Sequence, residues 1–281
     1  MDRELVNPGT LYVVATPIGN LGDLSPRAAR VLAGVDLVAA EDTRRARTLL
    51  AHVGARPRVV SLHAHSSPAR VGAVIAAARA GEAVALVTDA GTPGISDPGG
   101  DLVERARAQG VPVVAVPGPS AVGAALSISG LSADRYQFLG FLPRKGPARR
   151  RLVERVAQSE WSVVIFEAAN RLAATLEDLA AACGGDRPAV VARELTKVHE
   201  EARPGTLTDL AGYYREHPPR GEATIVIAGR PEPKITPDPG SARERAERLL
   251  ALGLTRRDAA ERLAGELGLS RNRAYALVAN L

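Results

Sequence analysis

The stretch from Leu11 to Ala29, LYVVATPIGNLGDLSPRAA, constrains the possible folds of this chain more than any other. It begins with a short apolar run of β character, Leu11 to Ala15, and ends in Ser25-Pro26, a typical N-cap followed by proline in the first helical turn. The glycine-bearing loop between them follows a strand, which is where open α/β sheets bind their ligands. Because the loop has neither a GxGxxG pattern nor the Gly-Lys-Ser/Thr of a Walker loop, an ordinary βα turn explains this stretch alone equally well.

The composition is typical of a chain with an apolar core and no disulfide framework. Its 281 residues are 46% hydrophobic, which allows two domains and a small appendage. The single cysteine, Cys183, cannot form an internal disulfide and favours a reducing compartment. The formal net charge of +5 is compatible with a polyanionic partner without establishing one. No apolar signal core opens the chain and prolines interrupt the uncharged segment 110–133, so we expect a cytoplasmic protein without a membrane span.

Two further predicted strands are followed by loops rich in glycine and proline. Val84 to Thr88 precedes residues 89–100, DAGTPGISDPGG, in which we expect Asp97-Pro98 to cap the next helix. Val113 to Val116 precedes Pro117-Gly118-Pro119-Ser120-Ala121 and a helix start. We therefore expect three loops along one edge of one sheet, holding a ligand mainly through backbone and small side chains. The absence of lysine from these loops disfavours a bare triphosphate and favours an adenosine-type cofactor with a carboxylate and a sulfonium.

Charged side chains and histidines follow two other predicted strands. Glu41-Asp42-Thr43-Arg44 comes directly after the strand Val35 to Ala40, where an α/β protein places its chemistry, although an acidic helix cap explains this sequence slightly better. His63 and His65 follow the strand Val59 to Leu62. No acidic or cysteine partner has suitable spacing for a metal, so substrate contact fits these histidines better, and ordinary loop histidines are the simplest interpretation. We expect no metal site.

The second half of the chain is predicted to form a smaller α/β domain. The chain leaves the first domain around residues 138–143, and strands are expected at 161–167, 189–192 and 222–228, with a helix at 170–182. A cleft between the two halves is a natural site for a small molecule. Six basic residues lie close together after the domain boundary: Arg144, Lys145, Arg149, Arg150, Arg151 and Arg155. They indicate either a solvated helix face or, as we prefer, a polyanion-binding surface.

The C-terminal segment differs from the rest in composition. Residues 231–240, PEPKITPDPG, are typical of a linker, and three helices are expected beyond them, the second capped by Thr255 with Asp258 and the third by Ser270. Eight arginines and five acidic residues lie between Ser241 and Leu281, so a helix-turn-helix nucleic-acid module and a small packing bundle fit equally well. The predicted organisation is an α/β domain at 1–137, a second at 138–230, a linker at 231–240 and a helical extension at 241–281.

Assembled, these stretches resemble the tetrapyrrole methylase superfamily, and within it the bacterial 16S rRNA cytidine 2′-O-ribose methyltransferases. The resemblance spans Leu11 to Gly229 and is carried by LYVVATPIGNLGDLSPRA, AEDTR, LVTDAGTPGISDPG, VPGPSA, FLPRKG, RELTK and GEATIVIAG. It implies a two-domain α/β fold with a small all-helical C-terminal extension, and a homodimer that holds S-adenosylmethionine between its domains. It further implies methyl transfer to a ribose hydroxyl of 16S rRNA in the decoding region of the small ribosomal subunit. The tail resembles the helix-turn-helix extension of that rRNA branch.

The resemblance also implies which residues line the cofactor site. Those of the first domain are Pro17, Asp89, Gly91, Thr92, Ile95, Ser120 and Ala121, and those of the second are Phe166, Ala168 and Thr224. The chain departs from tetrapyrrole-modifying relatives because it lacks their GxGxGD loop and has Thr92-Pro93 in place of Asp-Pro. These departures weaken the case for a porphyrin substrate and leave the contact made by Thr92 open.

For methyl transfer, an in-line displacement, positioning of oxygen, carbon and sulfur should supply most of the catalysis. A ribose hydroxyl is a poor nucleophile that gains from a base, for which Asp42, Glu194 and His63 are candidates, with Arg44 and Lys197 as electrostatic orienters. The basic helix and the tail are expected to hold RNA phosphates through Arg144, Lys145, Arg149, Arg150, Arg151, Arg256, Arg257, Arg271 and Arg273.

Three alternatives stay open at this point. A precorrin-type methyltransferase would use the same cofactor and bind a tetrapyrrole, without need of a basic tail. A diphthine synthase would use the same fold to modify a protein side chain. A nucleic-acid-binding regulator would use the tail for DNA and the α/β part to sense a ligand.

Overall fold

The computed structural model describes residues 6–97, 99–231 and 239–281. The chain forms two compact units that divide after Arg230. The first unit contains two five-stranded sheets, and the second contains three helices. Most of the predicted linker, residues 232–238, lies outside the described residues, as does Pro98 of the predicted helix cap. None of the described helices is long and apolar enough to cross a membrane.

The first sheet is built from repeated strand–helix units, and its five strands are all parallel. Its elements are β1 (Leu11–Val14), α1 (Pro26–Gly34), β2 (Leu37–Ala40), α2 (Thr43–His52), β3 (Arg58–Ser61), α3 (Pro68–Arg79), β4 (Val84–Val87), α4 (Gly100–Ala108), β5 (Val113–Val116) and α5 (Ala121–Ser129). Alternate strand residues point to two separate apolar clusters, one with α1 and α2 and the other with α3 and α4. Helices therefore cover both faces, which explains why β2 and β4 are buried along their whole length.

The strand order places the three glycine- and proline-rich loops side by side. The order is β3-β2-β4-β1-β5, so that β1 lies between β4 and β5. Because the strands are parallel, the loops that follow β4, β1 and β5 leave the sheet at the same edge. The predicted gathering of these loops along one sheet edge is confirmed.

The second sheet is mixed and lies in the order β6-β7-β10-β8-β9. Its elements are β6 (Tyr136–Phe141), α6 (Pro147–Gln158), β7 (Ser162–Ala168), α7 (Leu172–Cys183), β8 (Pro188–Arg193), β9 (Glu201–Thr206), α8 (Leu207–Glu216) and β10 (Glu222–Ile227). Only the pair β6–β7 is parallel. Leucines of α7 and α8 form the core with the buried side of β7, β8 and β10.

Helix α5 connects the two sheets. It follows β5 of the first sheet, yet its apolar residues Val122 and Leu126 pack against Val164 and Val226 of the second. The chain enters the second sheet between Ser129 and Tyr136, so the segment expected to lead out of the first domain is already strand β6.

The C-terminal unit consists of α9 (Pro239–Ala251), α10 (Arg256–Leu267) and α11 (Arg271–Ala279) around an apolar core of its own. Thr255 and Ser270 cap α10 and α11 by accepting hydrogen bonds from backbone N–H groups three residues on, as predicted. Gly268 ends α10 in the left-handed conformation and allows the short turn into α11.

Candidate active site

A cavity of about 690 Å³ lies between the two sheets of the first unit. The loops after β1, β4 and β5 line one side, and the ends of β7, β8 and β10 line the other. A cavity of this size, lined by both apolar and charged side chains, is large enough for a small molecule.

Backbone contacts fix the three loops to one another. Thr16 and Gly91 exchange two backbone hydrogen bonds of 2.9 and 3.1 Å, which join the loop after β1 to the loop after β4. The Thr16 hydroxyl also donates to the Thr88 carbonyl at 3.1 Å. The Thr92 hydroxyl donates to the carbonyl of Pro119 at 3.5 Å, so Thr92 links the β4 loop to the β5 loop. The cavity edge is thus preformed by the protein itself.

The structure brings together nine of the ten residues expected to hold the cofactor. They come from both sheets and line the one cavity: Pro17, Asp89, Gly91, Thr92, Ile95, Ser120, Ala121, Phe166 and Thr224. Ser120 also caps α5 by accepting a hydrogen bond from the N–H of Gly123. Ala168, the last residue of β7, does not line the cavity, although its partner in the sheet, Glu222, does.

A strained turn after β8 closes the cavity from the second sheet. Glu194 and Thr196 have φ values of 50° and 67°, which are uncommon for residues with side chains. The Lys197 ammonium donates to the Glu194 carboxylate at 2.9 Å, and both residues line the cavity as expected. Gly19 packs so tightly on this turn that a Cβ there would lie 2.9 Å from the Leu195 carbonyl oxygen. The first loop and this turn therefore form one wall.

Two carboxylates that the sequence did not assign to catalysis or to cofactor binding also line the cavity. Glu41 and Asp97 are partly buried in it. Arg45 of α2 lines the cavity as well, with its guanidinium 3.5 Å from the Asp89 carboxylate. Burial, reinforced by the nearby Glu41 carboxylate, raises the pKa of Asp97 to about 6. Burial also raises the pKa of Glu41. Glu41 follows directly after β2 and Asp97 lies in the loop after β4. These positions at the carboxyl ends of strands are the sequence signal that could have identified both as cavity residues.

Asp97 does not cap α4, contrary to expectation. Gly99 occupies the N-cap position with a φ of 131°, and no side chain bonds to the helix start. A Cβ on Gly99 would lie 2.7 Å from a methyl of Leu86, so only glycine fits there. The Asp97 side chain is therefore left to face the cavity.

Three of the residues expected to take part in catalysis lie elsewhere. Asp42 caps α2 and pairs with the guanidinium of Arg44 at 2.8 Å, which lowers the pKa of Asp42 to about 2. The Arg44 side chain is 86% exposed, and neither residue lines the cavity. His63 lines a separate recess of about 240 Å³, which it shares with Asp97. Asp42 is thus an acidic helix cap, which is the interpretation that the sequence slightly favoured for this segment.

The basic residues of α6 divide into two kinds. Arg149 points inward, where its guanidinium donates to Asp178 and to the Thr175 hydroxyl at 2.7 and 3.0 Å. The remaining basic residues of the group are exposed: Arg144, Lys145, Arg150, Arg151 and Arg155. Arg149 therefore joins α6 to α7 within the second half of the first unit.

The basic residues of the C-terminal unit also divide into two kinds. Arg243, Arg245 and Arg262 pair with glutamates of the same unit. The four that the sequence assigned to RNA are exposed and form no ion pair with any described residue: Arg256, Arg257, Arg271 and Arg273.

Comparison with known proteins identifies the family. Residues 10–211 match the family described as Tetrapyrrole (Corrin/Porphyrin) Methylases. The chain is 46% identical to the Ribosomal RNA small subunit methyltransferase I of Synechocystis sp., over 96% of this chain and 97% of that protein. It is 50% identical to the protein of the same name from Xylella fastidiosa, over 79% of this chain and 82% of that one.

A solved structure supports the fold independently. The chain is similar to the crystal structure of diphthine synthase with a TM-score of 0.62 and 16% sequence identity, over 78% of this chain and 90% of that one. At this identity the similarity describes the fold alone. The family match over most of the chain, the two-sheet architecture and the cavity between the sheets lead to one conclusion: this chain belongs to the tetrapyrrole methylase family.

Proposed function

We propose that this protein transfers a methyl group from S-adenosylmethionine to the 2′-hydroxyl of a cytidine in 16S rRNA. We further propose that it acts on the small ribosomal subunit, in the cytoplasm and as a homodimer. The observation that carries the proposal is the 46% identity, over nearly the whole chain, to a protein named Ribosomal RNA small subunit methyltransferase I.

The residues that line the cavity fit this donor. Gly91, with a φ of 84°, lets the backbone of the β4 loop approach a ligand closely. Ile95, Ala121 and Phe166 offer apolar surface to an adenine ring. The carboxylate of Asp89 suits the positive charge of a sulfonium. Bound there, the donor supplies an electrophilic methyl carbon.

Exposed arginines of the C-terminal unit suit an RNA partner. Arg256 and Arg257 begin α10, and Arg271 and Arg273 lie in the first turn of α11. A positive charge at a helix N-terminus opposes the helix dipole and so does not serve helix stability. Together with free N–H groups, it provides a site for phosphate. This placement supports the RNA-binding role that we assign to the unit.

The exposed basic residues around the start of α6 extend this role to the first unit. Gly146 begins the helix without a side-chain cap, and Arg150, Arg151, Arg144 and Lys145 lie close to it in sequence. Phosphate contacts of this kind position RNA without reading its sequence. Arg149 is left out of the proposed RNA surface because it is bound to Asp178.

The proposal is tested by incubating the protein with small ribosomal subunits and S-adenosylmethionine labelled in its methyl group, followed by nuclease mapping. The expected result is a label on one cytidine ribose of 16S rRNA. The absence of label from the rRNA, with the donor bound, would contradict the proposal. In a separate titration, the absorbance spectrum of a tetrapyrrole should not shift when this protein is added. A shift would indicate tetrapyrrole binding, as expected of a precorrin-type enzyme.

A further inference from the structure

Five carboxylates of the described residues line the cavity, and cations neutralise two of them. Asp89 lies 3.5 Å from the guanidinium of Arg45, and Glu194 accepts a hydrogen bond of 2.9 Å from the Lys197 ammonium. These two carboxylates are thus already engaged by cations of the protein itself.

The other three carboxylates, those of Glu41, Asp97 and Glu222, form no ion pair with any residue that the structure describes. Glu222 is exposed at the start of β10, whereas Glu41 and Asp97 are partly buried. Asp97 is also the residue common to the large cavity and to the 240 Å³ recess that contains His63. Asp97 therefore borders two spaces, the cavity that we assign to the donor and the neighbouring recess.

We propose that Asp97 is the proton acceptor of the reaction and takes the proton of the acceptor hydroxyl as the methyl group is transferred. This inference rests on the proposed function. In the step, the hydroxyl oxygen forms a bond to the methyl carbon, and the carbon–sulfur bond breaks with its electron pair going to sulfur. The O–H bond breaks at the same time, and its proton goes to the Asp97 carboxylate. The products are a methyl ether, a neutral thioether and a protonated Asp97.

The surroundings of Asp97 suit this role. Negative groups face it from three elements: Glu41 after β2, Asp89 after β4 and Glu222 at the start of β10. The cations that line the same cavity, Arg45, Arg193 and Lys197, are each paired with another carboxylate. His63 and Asp101 line the adjoining recess, where Asp101 is paired with Arg105. Burial and the Glu41 carboxylate bring the pKa of Asp97 to about 6, close to the pH at which the protein would work. A base with such a pKa is both ionised and able to bind a proton.

The candidates expected from the sequence fit this role less well. The pKa of Asp42 is held at about 2 by its hydrogen bonds to Arg44, and Asp42 lies outside the cavity. Glu194 is bound to Lys197. His63 lines the recess but not the cavity itself.

The test compares Asp97→Asn with Glu104→Gln, a matched control that neutralises an exposed carboxylate of α4 outside the cavity. Single-turnover methyl transfer to small ribosomal subunits is measured from pH 5 to 9, and donor binding is measured by calorimetry. We expect Asp97→Asn to bind the donor as the unchanged protein does and to transfer methyl groups roughly 10²- to 10⁴-fold more slowly, which is the usual contribution of a general base. The Glu104→Gln rate should equal that of the unchanged protein.

The pH profile separates a catalytic role from a structural one. The rate of the unchanged protein should rise with pH and level off above about 6, as Asp97 ionises. Asp97→Asn should lose this rise, and Glu41→Gln should move it to lower pH, because a neighbouring negative charge is removed. If Asp97→Asn fails to fold, the Glu41→Gln profile and the carboxyl titration of Asp97 by NMR carry the test.

Distinct outcomes would overturn the inference. An Asp97→Asn rate equal to that of the unchanged protein excludes Asp97 as the base, and a parallel loss of donor affinity assigns Asp97 to donor binding instead. A titration of Asp97 at the ordinary value of 3.8 also contradicts it. If the unchanged protein binds the donor but methylates no rRNA, the proposed function itself fails, and the inference fails with it.

Discussion

At the scale of single residues, Asp97 makes a prediction about stability. Its pKa is about 6 in the folded protein against an ordinary value of 3.8, so the folded state binds the proton more tightly than the unfolded state. The free energy of unfolding should therefore fall as the pH rises from about 4 to about 6, and stay lower above that range. Asp97→Asn removes the partly buried charge, and we expect it to be more stable than the unchanged protein at pH 7.5 by roughly 1 kcal/mol, or about 3 °C.

Thermal melts at pH 7.5 and pH 3.5 check this expectation. At pH 3.5 the carboxyl is protonated in the folded state and mostly protonated in the unfolded state, so the advantage of the Asn variant should largely disappear. An advantage of equal size at both pH values would point to a cause other than the Asp97 charge. Loss of activity with a gain in stability is the usual pattern at strained functional sites.

A second prediction at this scale concerns Gly19. A Cβ at this position would lie 2.6 Å from Lys197 Cγ and 2.9 Å from the Leu195 carbonyl oxygen, so the first loop would have to move off the turn after β8. We expect Gly19→Ala to lower the free energy of unfolding by about 1–3 kcal/mol and to weaken donor binding. Gly72→Ala is the control, since Gly72 lies in α3 with open space at its Cβ and should gain roughly 0.5–1 kcal/mol.

Urea titrations of the two glycine variants, with calorimetry of donor binding, measure both effects. If the close contact between the first loop and the turn after β8 stabilises the protein, Gly19→Ala will be the less stable variant. A Gly19→Ala protein with unchanged stability and donor affinity would show that this wall is not tightly packed.

At the scale of elements, strand β9 shows where the sequence was insufficient. The stretch Glu201–Thr206, EARPGT, contains proline and glycine, which are uncommon in strands, and it is absent from the predicted strands. This stretch can be a strand because it lies at the edge of the sheet and pairs only with β8. The missing N–H of Pro204 therefore costs no hydrogen bond to a strand on the other side. Helix α8 covers the strand, with the Arg203 guanidinium 3.6 Å from the Tyr213 ring centroid. The pairing with β8 and the contact with Tyr213 form only in the assembled sheet, so residues 201–206 alone do not predict this strand.

The C-terminal helices allow a prediction about salt. Arg257 and Arg273 are exposed and form no ion pair with a described residue, whereas Arg243 and Arg262 are already paired with Glu247 and Glu266. We expect Arg257→Gln with Arg273→Gln to reduce the slope of log affinity against log salt by about 1 to 2, since each phosphate contact contributes close to one unit. Binding to small ribosomal subunits at several salt concentrations measures this slope.

The double variant Arg243→Gln with Arg262→Gln is the matched control, because it removes the same charge from arginines that glutamates neutralise. It should change the slope little. Equal slopes for the two double variants would assign the bundle a packing role, the alternative that the sequence left open.

At the scale of the whole molecule, the sequence was sufficient for the parts that local patterns determine. The short strands, the loops after them and the helix caps at Ser25, Ser120, Thr255 and Ser270 follow from neighbouring residues. The strand order and the packing of α5 on the second sheet depend on contacts far apart in the chain. For that reason Arg45 was not recognised as a cavity residue, while the glycine-rich loops were. Asp97, in one of those loops, was assigned to a helix cap that Gly99 occupies instead.

The proposed activity requires that the cavity between the two sheets binds the methyl donor. The most direct test is a calorimetric titration of the intact, folded protein with S-adenosylmethionine, repeated in the presence of its demethylated product. The account predicts the uptake of one donor per chain and competition by the product. A protein whose circular dichroism shows it to be folded, yet which takes up no donor with or without small ribosomal subunits, would contradict it.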